Sequence, residues 1–449
     1  MRPEPITEDM IVENRKAAEA QPSTGLPRLA RILMEFGWQI DRDRQAERIP
    51  YFEEAAAIHR GLVTDGASEH ITAAMHAIAS LGLQYSLAHA DDLSLAAKHE
   101  AAELARRVNL HREGKRQEIA ILADLAHCLA EFGRFAQAVA VQQEVVAICR
   151  ARESAGGYSS GHPAWQLLDL AIYLDLAGRA DASLDIEREV LELERRRAAN
   201  NPRQLPELAI WTSGAALRFA DAGQPQRARA LLAEAILACD QLPAEGKRGN
   251  FGFLQALQAA HFARSGARDE RPDAVHAVPI GIDPDLALQP VLGSSLYHWS
   301  FSVRDAYRAG LEVINEAINA RTHPIPHDAA QLAELGILLR RRNIRESVLD
   351  YGPGYFFEKI IPALAHSVDV ERRLLVADPG IGPQRLVRAL TDQALGCLAA
   401  SSNANAGSAL REAHALCSAA TDSDAEAAAD PIATDDPTAT SGPGHAGPH

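Results

Sequence analysis

The clearest catalytic signature in this 449-residue chain is GYSSG at 157–161, which has the G-x-S-x-G spacing of a nucleophile elbow. Such an elbow places its serine on a sharp turn between a β-strand and an α-helix. Here a helical pattern that ends near Arg152 precedes the motif, and Pro163 opens the next helical pattern after it. The surroundings therefore predict a flexible Gly/Ser loop and not a hydrolase.

A second cluster, HPIPHD at 323–328, gathers two histidines and an aspartate, which are residue types that bind metals. Its two prolines are more simply typical of a linker, in which Asp328 would cap the helix that follows. The chain contains no G-x4-G-K-[ST] loop and no H-E-x-x-H pair. We therefore predict no catalytic residue, no bound metal and no cofactor, and a protein that is not an enzyme.

The five cysteines form no CxxC pair, and small apolar thiols are common in helical cores. Cys149 and Cys239 occupy the same place in two copies of a repeat, because each lies 16 residues after a repeat glycine. We therefore predict a structural role for the thiols.

The charge balance limits the classes of partner. The formal net charge is -15 at pH 7, whereas nucleic acids and anionic membranes attract cationic surfaces. No stretch approaches 18 uncharged apolar residues, and the N-terminus MRPEPITEDMIVENRK has no apolar signal-peptide core. We expect a cytoplasmic protein that binds neither nucleic acid nor membrane.

The most informative pattern is a repeat of 45 residues, marked by Gly133, Gly178 and Gly223. Apolar residues recur at three and four on both sides of each glycine, which predicts two helices joined by a tight turn. Small residues recur seven positions before and five positions after the glycine, where they let the paired helices approach closely. These small residues are Ala126, Ala171 and Ala216 before the turn and Ala138, Ser183 and Ala228 after it.

The turn glycine and its flanking small residues resemble those of the tetratricopeptide repeat, although the 45-residue unit exceeds the usual 34. The longer unit is similar to the type seen in kinesin light chains and in many actinobacterial repeat proteins. This resemblance implies an all-α fold, a right-handed α-solenoid of stacked helical hairpins. It also implies a scaffold that binds a protein or peptide partner.

The pattern divides the chain into five parts. Residues 1–30 are expected to form a capping helix and linker, unless the chain descends from a longer protein that lost an upstream domain. Repeats follow at 31–270, then an irregular, Pro-interrupted helical segment at 271–360, and a final repeat-like hairpin at 361–420. The acidic segment 421–449 has almost no bulky apolar residue, which predicts a disordered tail.

In tetratricopeptide arrays the first helix of each unit lines a concave groove, and this resemblance implies the binding residues. The alignment places aromatic or imidazole side chains and carboxylates along that groove: Trp38, Tyr85, His127, Glu131, Trp165, Asp175 and Asp221. We expect them to remain partly exposed and to bind a partner with basic residues.

Two alternatives to this groove remain open in the sequence. The same side chains could be ordinary core aromatics and solvated acids. The chain could also be a sensor or atypical enzyme with a small-molecule pocket in 271–360, where Tyr297, His298, Trp299, Tyr307, His323 and His327 are available.

Overall fold

A computed structural model describes residues 5–41, 44–64, 70–107, 114–154, 163–244, 301–322, 328–349 and 356–429. Its secondary structure is entirely helical within these ranges. The N-terminal array consists of α1 (Glu8–Ala20), α2 (Pro22–Gln39), α3 (Gln45–Thr64), α4 (Ile71–Leu87), α5 (Asp91–Arg107), α6 (Gly114–Glu131), α7 (Phe135–Ser154), α8 (Pro163–Leu176), α9 (Ala180–Asn200), α10 (Leu205–Asp221) and α11 (Pro225–Asp240). The C-terminal block consists of α12 (Phe301–Thr322), α13 (Ala329–Leu349), α14 (Ile361–Ala377), α15 (Gln384–Ala399) and α16 (Asn403–Ala429).

Each regular hairpin turns on one residue in the left-handed backbone region. Gly133, Gly178 and Gly223 have φ of 70°, 76° and 70°, which glycine adopts without a Cβ clash. The amide after each glycine donates to a carbonyl five residues earlier, as in a Schellman cap. The same turn forms at His89 and Ser401, whose φ values are 56° and 58°. The structure therefore shows two hairpin turns of this type that contain no glycine.

Small residues sit where the paired helices cross, as the repeat pattern predicts. All six are buried, namely Ala126, Ala138, Ala171, Ser183, Ala216 and Ala228. The Ser183 hydroxyl donates to the Ala171 carbonyl at 2.8 Å, and the Ser94 hydroxyl donates to the Gly82 carbonyl at 2.9 Å. A hydroxyl can reach a backbone carbonyl on the facing helix only when the two helices approach closely.

A ladder of ion pairs joins the outer helices of successive hairpins. In each step an Arg pairs with a Glu 38 to 40 residues later, at 2.5 to 3.0 Å. The pairs are Arg15–Glu54, Arg60–Glu100, Arg106–Glu144, Arg150–Glu189, Arg195–Glu234 and Arg372–Glu412. Exposed pairs stabilise by only about 0.2–1 kcal/mol each. Because the first pair involves α1, this helix occupies the place of the outer helix of a hairpin.

The C-terminal block folds back on the array. The hairpin α15–α16 packs against α10–α11, and its apolar residues belong to the same buried core that runs through α5 to α11. At the other end of the block, α12 contacts α4. Among the described helices, the array and the block therefore meet near both ends of the block.

The last helix α16 is described as far as Ala429, nine residues into the segment 421–449 for which we predict a disordered tail. The segment 419–429 contains six alanines, and alanine has the highest intrinsic helix propensity. Residues 430–449 lie outside the described part of the chain.

A buried pair of carboxyls lies at the junction of α9 and α10. Burial raises the pKa of Glu194 to about 7; Arg197 opposes this shift and the Glu207 carboxylate adds to it. Burial also raises the pKa of Glu207. A carboxyl with a raised pKa in the folded state keeps a proton that the unfolded chain releases, so stability falls as pH rises through the folded pKa.

We expect Ala171→Leu to destabilise the fold by about 1–3 kcal/mol, since a larger side chain overpacks the α8–α9 crossing. Ala230→Leu is the matched control, because Ala230 is exposed on α11. Chemical unfolding measures both variants. Equal stability of the two would contradict the close crossing at Ala171.

We expect Glu194→Gln to be more stable than the wild type at pH 8, with a gap that shrinks towards pH 5. The raised pKa corresponds to a maximum gap of roughly 3 kcal/mol. Unfolding free energies between pH 5 and 8 measure this difference. Glu192→Gln, at an exposed ion pair on the same helix, should show no such trend. A pH-independent gap for Glu194→Gln would contradict the assignment.

Candidate partner-binding face

The close helix crossings fix which residues face inward. Gly37 belongs to the same series as the small residues, because its carbonyl accepts from Arg48 and an added Cβ would meet the Phe52 ring. In the last hairpin Ala394 lies seven residues before the turn residue Ser401, as Gly82 lies seven before His89. The six crossing positions before a turn are thus Gly37, Gly82, Ala126, Ala171, Ala216 and Ala394. We call the residues that directly follow them the inner row: Trp38, Leu83, His127, Ile172, Leu217 and Leu395.

The inner row is open at one end and covered at the other. Trp38 is 43% exposed and Leu83 is 40% exposed. His127, Ile172 and Leu217 are 1%, 2% and 7% exposed. Every residue of α10 from 207 to 219 is buried. The array thus offers an accessible inner surface only at α2 and α4, among the described residues of the inner row.

The expectation that His127 and Glu131 stay partly exposed is wrong. Both side chains are buried, and His127 Nε2 lies 3.1 Å from Glu131 Oε1. His127 Nδ1 lies 3.2 Å from the Tyr173 hydroxyl, which is also buried. These three side chains form a buried polar network between α6 and α8, where a partner cannot reach them.

The two aspartates of the predicted groove bind arginines of this same chain. Asp175 pairs with Arg218 of α10, and both side chains are nearly buried. Asp221 pairs with Arg388 of α15, which lies in the C-terminal block. The basic groups that these two carboxylates bind in the structure are therefore intramolecular.

Tyr85 lies two residues beyond the inner row, so its alignment with Trp38 is wrong. The turn after α4 forms at His89, and this places Leu83 in the inner row. The Tyr85 hydroxyl donates to Glu53 at 2.8 Å. Burial, and to a lesser extent this hydrogen bond, raises the pKa of Tyr85 to about 12. Trp165 is half-buried and packs edge-on against Trp211, with 6.1 Å between ring centroids.

Trp38 is held rigidly although its indole is half-exposed. Its ring packs edge-on against Phe52 at 5.1 Å, and the guanidinium carbon of the buried Arg48 lies 5.1 Å from the indole centroid. Two exposed acids lie nearby in sequence. Glu35, one helical turn earlier, forms an exposed pair with Arg31 at 3.7 Å, and Asp41 lies just after α2. We call Trp38, Leu83, Glu35 and Asp41 the open inner face; it combines apolar contact area with carboxylates.

The geometry of the described residues offers little support for metal binding or thiol chemistry. Within the described residues no three His, Cys, Asp or Glu side chains are grouped to hold a metal. Burial raises the pKa of the Cys128 and Cys239 thiols to about 12, so they stay protonated. Asp328 accepts from the Ala330 amide at 2.7 Å, as predicted for a helix cap. GYSSG, His323 and His327 lie outside the described residues.

A cleft of about 560 Å³ lies beside α5, α6 and α7, lined by Arg106, Glu118, Glu144, Ala147, Ile148, Ala151 and Arg152. Arg106 and Glu144 in its wall pair with each other as one step of the ion-pair ladder. Their arrangement is therefore explained by the stacking of hairpins.

Among the described helices, none is long and apolar enough to span a bilayer.

Comparison with known proteins gives structural likeness only. No family model matches the chain, and a search of curated proteins finds no match. A solved structure of Naa15/Naa10 bound to HypK-THB is 14% identical with a TM-score of 0.32, covering 91% of this chain and 61% of that one. Yeast Tom70 is 12% identical with a TM-score of 0.23, covering 91% of this chain and 97% of that one.

A circular tandem repeat protein with a novel repeat topology is 16% identical with a TM-score of 0.17, covering 94% of this chain and 91% of that one. This chain thus spans less than two thirds of the chain from the Naa15/Naa10 structure. At these low scores the fold assignment stands on the helices, turns and packing described above.

The ion pair between array and block can be tested by charge reversal. We expect Asp221→Arg and Arg388→Asp each to lower stability, since each leaves two like charges in contact. The double reversal should recover most of the loss, with a coupling energy of about 0.5–3 kcal/mol. Chemical unfolding of the three variants measures the cycle. Additive losses would contradict the docking of α15 on α10.

Proposed function

We propose that this chain is a protein-interaction scaffold that binds a partner protein or peptide on the open inner face. One observation carries the proposal. The inner-row residues from α6 onwards are covered within the chain, whereas Trp38 and Leu83 of the same row are left exposed. A rigid, half-exposed tryptophan is typical of the anchor residues that dominate binding energy in protein interfaces.

The partner we propose presents an apolar surface with basic residues. Trp38 and Leu83 supply the apolar contact, and Glu35 and Asp41 supply carboxylates beside it. The chain itself offers an example of this chemistry, because Arg388 of α15 binds Asp221 at the covered end of the array. The formal net charge of -15 favours the approach of a basic partner.

A scaffold role also implies that the chain is not an enzyme and uses no cofactor. The buried, protonated thiols and the lack of a metal-binding group in the described ranges are compatible with this proposal. We further propose a cytoplasmic protein whose partners do not include nucleic acid or membrane, on the basis of its acidic charge.

The alternative small-molecule site in 271–360 lies largely outside the described part of the chain. Residues 271–300, 323–327 and 350–355 are not described, and neither is the side chain of Tyr307. No contact on the described helices favours this alternative, so the scaffold remains our proposal.

We expect Trp38→Ser and Leu83→Ser each to reduce partner capture at least tenfold, because each removes apolar area from the open inner face. Immobilised full-length chain is incubated with an extract of the source cells, and bound proteins are quantified by mass spectrometry. Leu237→Ser is the matched control, since Leu237 is an exposed leucine on the outer helix α11. Thermal unfolding checks that all three variants are folded.

A partner that is captured by the wild type and by Leu237→Ser, but lost in both inner-face variants, supports the proposal. Its binding should also weaken with salt and with the charge reversal Glu35→Lys, because exposed charge pairs are screened within roughly 10 Å at 0.1 M salt. Equal capture by all variants would exclude the open inner face as the binding surface.

A further inference from the structure

The turn between α4 and α5 differs from the other turns of the array. His89 has a φ of 56° where the next three hairpins carry glycine with φ of 70° to 76°. A histidine in this region is less favourable than glycine, because its Cβ crowds the backbone. Strained residues of this kind often have a functional role, and the observed outlier is the reason to look for one here.

His89 is one of the described array residues that contact the start of α12. Its Nδ1 lies 3.0 Å from the Ser302 hydroxyl, and its Nε2 lies 3.5 Å from a carboxylate oxygen of Asp305. Asp91, at the start of α5, also interacts with Ser302. The N-terminal end of α12 is thus docked on the α4–α5 turn through a hydroxyl and a carboxylate three residues apart.

Among the side chains that the structure describes, those that join α12 to the α4–α5 turn are polar, whereas α15–α16 meets the array through apolar residues. The buried apolar cluster of α12 contains described residues of α13 and α14 and none of α4. The hairpin α15–α16, by contrast, shares the main core with α10 and α11. His89 and Asp305 are both about half exposed, so water competes for their interaction. Each described polar contact of the α12 end is therefore weak by itself.

The docked α12 also lies close to the open inner face. Leu83 is on α4, six residues before His89, which is between one and two turns along the helix. A partner helix that covers Leu83 and continues along α4 therefore reaches the turn that α12 occupies.

We propose that the α4–α5 turn is a helix-docking site for which α12 and a partner helix compete. The contacts of α12 define the partner chemistry: a serine or threonine at the helix start, followed three residues later by an aspartate or glutamate. This inference rests on the proposed scaffold function for the identity of the competitor. The docking site itself is tested without any partner.

The first experiment uses His89→Gly in the full-length chain. Glycine suits this turn, as in the next three hairpins, so the array keeps its fold while α12 loses its contact. We expect hydrogen–deuterium exchange in residues 301–322 to accelerate at least tenfold, with unchanged exchange in α15. Ser401→Gly is the matched control, because it makes the same change at the other non-glycine turn, and it should leave α12 unchanged. Unaltered exchange of α12 in His89→Gly would overturn the proposal.

The second experiment uses a fluorescent synthetic peptide of residues 301–322 added to full-length chains. The double variant Ser302→Ala/Asp305→Lys weakens the chain's own α12, so we expect the peptide to bind it at least tenfold more tightly than the wild type. Adding His89→Gly to that variant should abolish the gain. A gain that persists without His89, or no gain at all, would overturn the docking site. Loss of partner capture in Trp38→Ser is a separate readout, so the two proposals can fail independently.

Discussion

The close crossing of two helices, followed by one residue in the left-handed backbone region, is the constraint on which the rest of the structure depends. A small residue at the crossing fixes the distance between the helices, and the turn fixes their register. Once Ala171 meets Ser183 across such a crossing, Ile172 must face inward. The same logic applied to Gly37 and Gly82 places Trp38 and Leu83 in the inner row.

An array with an apolar inner row must cover it or leave it for a partner, since exposed apolar area is unfavourable in water. This chain does both. The hairpin α15–α16 packs on α10–α11 and joins the same core, and Arg388 neutralises Asp221 there. Breaking that contact would expose a continuous core and leave Asp221 without its arginine. At α2 and α4 no such cover is present in the described residues, and the indole of Trp38 stays accessible.

The sequence was sufficient for the local part of this fold. Three glycines at one spacing predicted the helical hairpins, and the small residues around them predicted where the paired helices cross. Two kinds of error remained. The turn at His89 was not predicted because a histidine is not a sequence signal for a left-handed conformation. The 12-residue spacing from Gly82 to Ser94, which Ala171 and Ser183 share, is the pattern that identifies this turn. The burial of His127 and Glu131 was not predicted because the resemblance to tetratricopeptide arrays places these positions on an open groove. The pairing of Asp221 was not predicted because its arginine lies 167 residues away in the sequence.

The strengths of the two contacts determine which part of the block can regulate access to the inner face. The α15–α16 hairpin is held by apolar burial, so its release would cost many kcal/mol. The α12 end is held at the array by interactions of His89 and Asp91, and partly exposed polar contacts contribute about 0.2–1 kcal/mol each. A partner helix can shift α12 towards an undocked form only by as much as its affinity differs between the two forms. A glycine at position 89 would relieve the turn but remove this contact, so the proposed competition depends on the histidine.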